Sequence, residues 1–162
     1  MDVVTETTTP TTKQMYYCNL LDFLTVANQY LDLMKTKGTR NKLCYAIEKV
    51  IMKNKRRIEK FEKPVNELIG DLNYDFCTKD EKTGNMILDT DPNKSMTFTP
   101  DNHKKMKKEV VKLSAPRLEE KEENIIDISI YPLRITPEDL LYLKDFNYQQ
   151  VDAFAGIVIS MQ

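Results

Sequence analysis

TRNKLCYAIEKVIMKNKRRIEKFEKPVNELIGDL, residues 39–72, is the stretch that decides the architecture. Leu43, Ile47, Val50, Asn54, Ile58, Phe61, Val65, Leu68 and Leu72 recur every three or four positions without a break. That is one apolar seam along one helix. The spacing alternates at about 3.5 rather than 3.6 residues, which suits packing along a second helix. The residues just upstream supply that helix. Tyr17, Leu20, Leu21, Leu24, Ala27, Leu31 and Met34 keep the same spacing and predict a helix from Met15 to Met34. Gly38 fits the left-handed residue that ends it, and Thr39 can cap the next. An antiparallel helical hairpin with a long second helix follows.

Three residues bear on how the seam runs. Asn54 stands where an apolar residue belongs. Either it hydrogen-bonds across a helix interface, fixing register or oligomeric state, or it faces a solvated part of the stripe. Pro64 removes a backbone donor inside the helix and predicts a kink. Gly70, followed by Asp71-Leu72-Asn73, predicts the helix end.

Further along, Tyr74, Asp75, Phe76 and Cys77 alternate, KDEKTGN reads as a turn, and Met86, Ile87 and Leu88 resume the alternation. A β-hairpin is expected there. Thr99-Pro100-Asp101 opens a helix that carries His103, Met106, Val110 and Leu113 on one face and stops at Ala115-Pro116. Ile125, Ile126, Ile128 and Ile130 then form a half-buried strand with Asp127, Ser129 and Tyr131, apart from the adjacent Ile125-Ile126 pair. Thr136-Pro137 repeats the capping grammar before a short helix, Asp139 to Lys144. The fold class is α+β: the helical hairpin, a small antiparallel sheet or β-hairpin, and two short Pro-capped helices.

The ends differ from this body. Residues 1–13, with TETTTPTT, carry no periodicity and read as an extended arm. Residues 147–162 end in FAGIVISMQ, apolar and β-branched. Such a tail is either a last strand of the sheet or a peptide docked on a neighbour, and docking is favoured because residues 14–146 already complete one domain. Thr8, Thr9 and Pro10 in the arm, with Phe154, Ile157, Val158 and Ile159 in the tail, are therefore the candidate partner-binding residues.

Composition limits the chemistry. Among 162 residues, 24 are Lys or Arg and 25 are Asp or Glu, a balance that does not select for nucleic acid or an anionic membrane. No segment approaches the ~20 apolar residues of a membrane span. The single histidine, His103, excludes mechanisms that need two imidazoles, and its position on a helix face suits a packed, hydrogen-bonded residue. None of the four glycines sits in a phosphate-cradling cluster. Cys18, Cys44 and Cys77 are widely spaced with no C-x-x-C, so neither a disulfide framework nor a zinc site is indicated. Asp75, Asp80, Glu81, Asp89 and Asp91 lack the spacing of a calcium loop. Asp75 and Asp89 are the nearest approach to paired carboxylates, but no base, nucleophile or metal set accompanies them. No catalytic residue, cofactor or metal is expected.

Lys53, Lys55, Arg56, Arg57 and Lys60 make the middle of the long helix basic, and Lys104, Lys105, Lys107, Lys108 and Lys112 do the same for a later one. Interleaved Glu48, Glu59, Glu62 and Glu67 offer i,i+4 partners, so a solvated face is the simpler reading and nucleic acid is not expected. Lys53, Arg56, Arg57 and Lys60 remain the candidate basic surface.

KLCYAIEKVIMKNKRRIEKFEKPVNELI, KDEKTGN, FTPDNHKKMKKEVVKL, IDISIYPL and ITPEDLLYLKDF, in that order from Asn41 to Phe146, resemble a group of small proteins encoded by tailed bacteriophages. The resemblance implies a non-enzymatic virion component associated with capsid, neck or tail, made in the host cytoplasm. Its partners would be other virion proteins or its own copies, in a homo-oligomer within a larger assembly. The alternative is an intracellular early protein that binds a host defence protein or nucleic acid through the basic helix face.

Overall fold

The computed structural model describes residues 11–87 and 96–160. The order of elements is β1 (Thr12–Tyr16), α1 (Tyr17–Thr36), α2 (Lys42–Phe76), α3 (Pro100–Ser114), β2 (Ile125–Ser129), α4 (Pro137–Leu141) and α5 (Tyr148–Asp152). The protein is α+β. Contacts divide the chain into two compact units. Met1–Ile58 and Glu119–Gln162 form the first, and Glu59–Leu118 the second.

In the first unit α1 and α2 form the expected hairpin. The turn between them is a Schellman arrangement, in which the Thr39 N–H donates to Met34 O at 3.0 Å and the Gly38 N–H to Lys35 O at 3.1 Å. Gly38 has φ +64°, the left-handed conformation that its lack of a Cβ permits. The cap of α2 is Asn41 rather than Thr39. Asn41 Oδ1 accepts from the Cys44 N–H at 3.0 Å, and its Nδ2 donates to the Tyr30 hydroxyl at 2.7 Å, tying the cap to the core.

The core takes Leu20, Phe23, Ala27, Tyr30 and Met34 from α1 and Leu43, Ile47 and Val50 from α2. β2 adds Ile126 and Ile128, alternate residues of one face, as its period of two predicts. The rest comes from the C-terminal segment. Phe154 and Val158 are fully buried and Ile157 is nearly so. The Phe154 ring meets Phe23 and Tyr30 edge-on, each at a centroid distance of 6.0 Å. The segment expected to dock on a neighbour is thus a plug in the chain's own core. Its β-branched run forms no regular strand: Gly156 turns it at φ +76°, and the Tyr131 and Leu133 N–H groups donate to Ile157 O and Val158 O at 2.8 and 2.9 Å.

The sheet also differs in membership. β1 pairs with β2 antiparallel, Thr12 opposite Ser129 through Tyr16 opposite Ile125. Thr12 and Lys13, assigned to the arm, are strand residues, and α1 starts at Tyr17 rather than Met15. The β2 ladder provides the partner that this polar stretch lacks in isolation.

In the second unit α2 passes Pro64 and Gly70 and ends at Phe76. Gly70 is not among the positive-φ glycines, and one helical glycine costs only about 1 kcal/mol. Tyr74, Asp75 and Phe76, expected in a strand, are therefore helical. Among the described residues that hairpin keeps the bridge between Lys79 and Met86, with the Ile87 N–H donating to Thr78 O at 2.9 Å and the Asp80 N–H to Asn85 O at 2.8 Å. Asp80 Oδ1 accepts from the Lys82 N–H at 2.8 Å, and Gly84 takes φ +70°. Leu88 lies outside the described residues. α3 starts as expected, Thr99 Oγ1 accepting from the Asn102 N–H at 3.2 Å with Pro100 next. α4 spans Pro137–Leu141, earlier than expected, because Thr136 and Asp139 close a box around its first turn.

Candidate protein-interaction site

β1 and β2 form a two-stranded sheet, so each has one edge without a strand beside it. The Ile130 N–H donates to Thr11 O at 2.9 Å, which fixes the alternation: odd residues of β1 bond to β2, while Thr12 and Gln14 aim their amides away. On the other side, Ser129 and Asp127 aim theirs away from β1.

The outer edge of β2 is closed by α2. Asn54, 1% exposed, reads the Ser129 backbone as a strand would: the Ser129 N–H donates to Asn54 Oδ1 at 2.8 Å, and Asn54 Nδ2 donates to Ser129 O at 2.8 Å. The same Nδ2 donates to Val50 O at 2.7 Å. One turn on, Arg57 Nη1 donates to Asp127 O at 3.0 Å. The polar residue in the apolar seam thus bonds a strand, across a helix–sheet contact rather than a helix–helix one. It is not solvated.

Among the described residues, the outer edge of β1 is open. The N–H and C=O groups of Thr12 and Gln14 have no hydrogen-bond partner among the described residues. Beside this edge runs a groove of about 930 Å³. Asn19, Asp22, Thr25 and Val26 of α1 line it, as do Asn147, Gln149, Gln150 and Asp152 in and beside α5. Its position is fixed by two local features. Asn147 and Gln150 form a capping box at the start of α5, and Gln150 Nε2 donates to Gln29 Oε1 of α1 at 3.0 Å. Asp22 and Asp152 make no ion pair among the described residues, and Lys13 is the one cation beside them in the lining, so the groove carries an excess of one carboxylate.

The candidate residues read from the sequence fall elsewhere. Thr8, Thr9 and Pro10 lie outside the described residues, as do Asp89 and Asp91. Phe154, Ile157 and Val158 are internal, and Ile159 is half-buried, bridged to Leu133 and Ala155. Of the basic set, Arg57 is spent on Asp127 O, whereas Lys53, Arg56 and Lys60 are exposed and make no ion pair among the described residues. His103 is exposed rather than packed, its ring leaning on Phe98 at 5.8 Å. Thr12, Gln14, Asp22 and Asp152 were missed by the sequence reading. The only sequence signal for the edge is the Thr-Lys-Gln-Met-Tyr alternation, which resembles an arm until β2 is placed beside it.

Tyr30 and Asp139 are two of the perturbed titrating groups in this unit. Burial pushes the Tyr30 hydroxyl up to about 12, against the hydrogen bond from Asn41, which pulls it down. Burial also raises the Asp139 carboxyl, but hydrogen bonds from Thr136 N–H, Thr136 Oγ1 and Lys42 outweigh it and hold the group below its ordinary 3.8. The Lys42 ammonium sits 3.0 Å from Asp139 Oδ2. These groups serve the core and the α4 cap, away from the groove lining. No described helix is long and apolar enough to cross a membrane.

No protein-family model, curated protein or solved structure matches the chain.

Proposed function

We propose that the chain is a non-enzymatic component of a tailed-phage particle that works in capsid, neck or tail assembly through protein–protein contacts. The open edge of β1 above its groove carries this reading. A strand with unpaired outward amides gains hydrogen bonds from any strand laid beside it. Contact between copies draws support from α2, whose seam is buried as far as Asn54 and then emerges, with Leu68 49% exposed. The phage setting rests on the motif order from Asn41 to Phe146. The reading gives the chain no catalytic step, cofactor or metal.

Mass spectrometry of purified particles, with copy number calibrated against the major capsid protein, tests it. The expected result is a fixed stoichiometry matching a ring or capsid multiple. Absence from particles with abundance in infected cells overturns it and favours a second reading, an early protein that contacts a host defence protein or nucleic acid. Lys53, Arg56 and Lys60, exposed and without an ion pair among the described residues, motivate that alternative. It requires salt-dependent binding that is lost in a Lys53→Glu, Arg56→Glu, Lys60→Glu variant.

A further inference from the structure

We infer that the groove beside β1 receives an extended peptide from another protein. The peptide lies as a third strand along Thr12 and Gln14, and a lysine or arginine of it is taken by Asp22 and Asp152. This deepens the assembly reading and rests on it.

Three observations converge. The first is the asymmetry of the two sheet edges. Asn54 takes both outer backbone groups of Ser129 and Arg57 takes the Asp127 carbonyl, while the corresponding groups of Thr12 and Gln14 have no partner among the described residues. A two-stranded sheet closed on one side is completed by a strand on the other.

The second is space. A volume of about 930 Å³ is at the upper end of what a bound ligand occupies. It runs beside a five-residue strand, a length of about 17 Å. Residues of α1 and of the C-terminal segment line the groove beside the edge. A second copy would have to bring its own α1 and α5 into the same channel. A peptide without attached walls fits better.

The third is charge. Asp22 and Asp152 line the groove without an ion pair among the described residues, and Lys13 is the one cation in its lining, which leaves the lining one cation short. A cationic side chain on the incoming strand supplies one. Main-chain pairing gives the affinity and the carboxylates the selectivity, the division of labour usual in strand addition.

The test uses two capped peptides, Thr-Lys-Thr-Lys-Thr-Lys and Thr-Glu-Thr-Glu-Thr-Glu. Each is titrated into the full chain and followed through the Thr12 and Gln14 amide signals in nitrogen–proton correlation spectra. The lysine peptide is expected to saturate, shift those amides and bind about tenfold more tightly than the glutamate peptide. Asp22→Asn combined with Asp152→Asn should erase the preference. Gln14→Pro removes an outward N–H without removing a bond to β2, and should weaken binding about tenfold with the melting temperature unchanged. Thr12→Pro serves as the second variant should that one unfold. Failure to saturate, equal affinity for both peptides, or undiminished binding to the folded proline variants overturns the inference. So does a wild-type dimer in size-exclusion chromatography that Gln14→Pro disperses, which assigns the edge to a second copy. Loss of peptide binding with the chain still at fixed copy number in particles overturns this inference alone. Absence of the chain from particles overturns the assembly reading, whatever the peptides do.

Discussion

Asn54 does for β2 what a neighbouring strand would do, and that explains a polar side chain in the most buried part of the seam. Truncation to alanine leaves the Ser129 N–H and C=O buried without partners as well as a small void. Asn54→Ala should therefore cost about 2 to 4 kcal/mol in urea unfolding. The Ser129 amide should also exchange faster than its neighbours in β2. The sequence shows that Asn54 is out of place but not why, because its partner lies 75 residues along the chain and helical periodicity says nothing about strands. Tyr30 makes a second prediction at this scale. Its hydroxyl titrates at about 12 in the fold against 10.0 ordinarily, so the folded state holds its proton more tightly. The resulting stabilisation is complete below pH 10 and is lost as pH rises towards 12, by roughly 2 to 3 kcal/mol. Tyr30→Phe should flatten that alkaline limb in a plot of unfolding free energy against pH, at a cost of about 1 kcal/mol at neutral pH for the unpaired Asn41 Nδ2.

α2 shows how far one element can overrule local signals. Pro64 and Gly70 both disfavour helix, yet the helix continues to Phe76, since each further residue adds a hydrogen bond once the helix is nucleated. Leu68, Leu72 and Phe76 keep the four-residue spacing. The alternation at Tyr74–Cys77 was a coincidence of a short window. Pro64 has no N–H for the carbonyl four residues back, so Pro64→Ala should stabilise the helix by about 1 to 3 kcal/mol, read as a higher melting temperature. The α4 cap has the opposite character, since its sequence grammar was legible and its energetics depend on pH. Asp139 titrates below its ordinary 3.8, so its contribution is present above that pH and fades as pH falls through the lower folded value. Thr136→Ala removes the hydroxyl that donates to the Asp139 carboxylate and accepts from the Asp139 N–H. It should cost about 1 kcal/mol at neutral pH and shrink the loss of stability on acidification.

For the whole molecule, the decisive question is what the C-terminal segment does. An apolar, β-branched run after an apparently complete fold has two equivalent uses, to cover a neighbour or to fill the chain's own core. Composition cannot choose between them, since burial stabilises either by the same amount per area. The choice depends on whether α1 and α2 leave a gap, and they do. Phe154 fills it, its ring meeting Phe23 and Tyr30 edge-on, with Phe146 beside Tyr30. The groove was hidden for a related reason: one wall is β1, readable as a strand only beside β2, and the other follows from how the C-terminal segment packs. The two alternatives differ in what truncation does. If residues 147–162 were a docking peptide, the chain lacking them would remain folded and lose only its partner. As a core plug their removal exposes Phe23, Tyr30 and the α1–α2 seam together. The truncated chain should then lose cooperative unfolding in circular dichroism and bind a hydrophobic dye. Phe154→Ala, a milder version of the same lesion, should cost about 3 to 5 kcal/mol while keeping the fold. A truncated chain with an unchanged melting temperature would return the segment to the role of a docking arm.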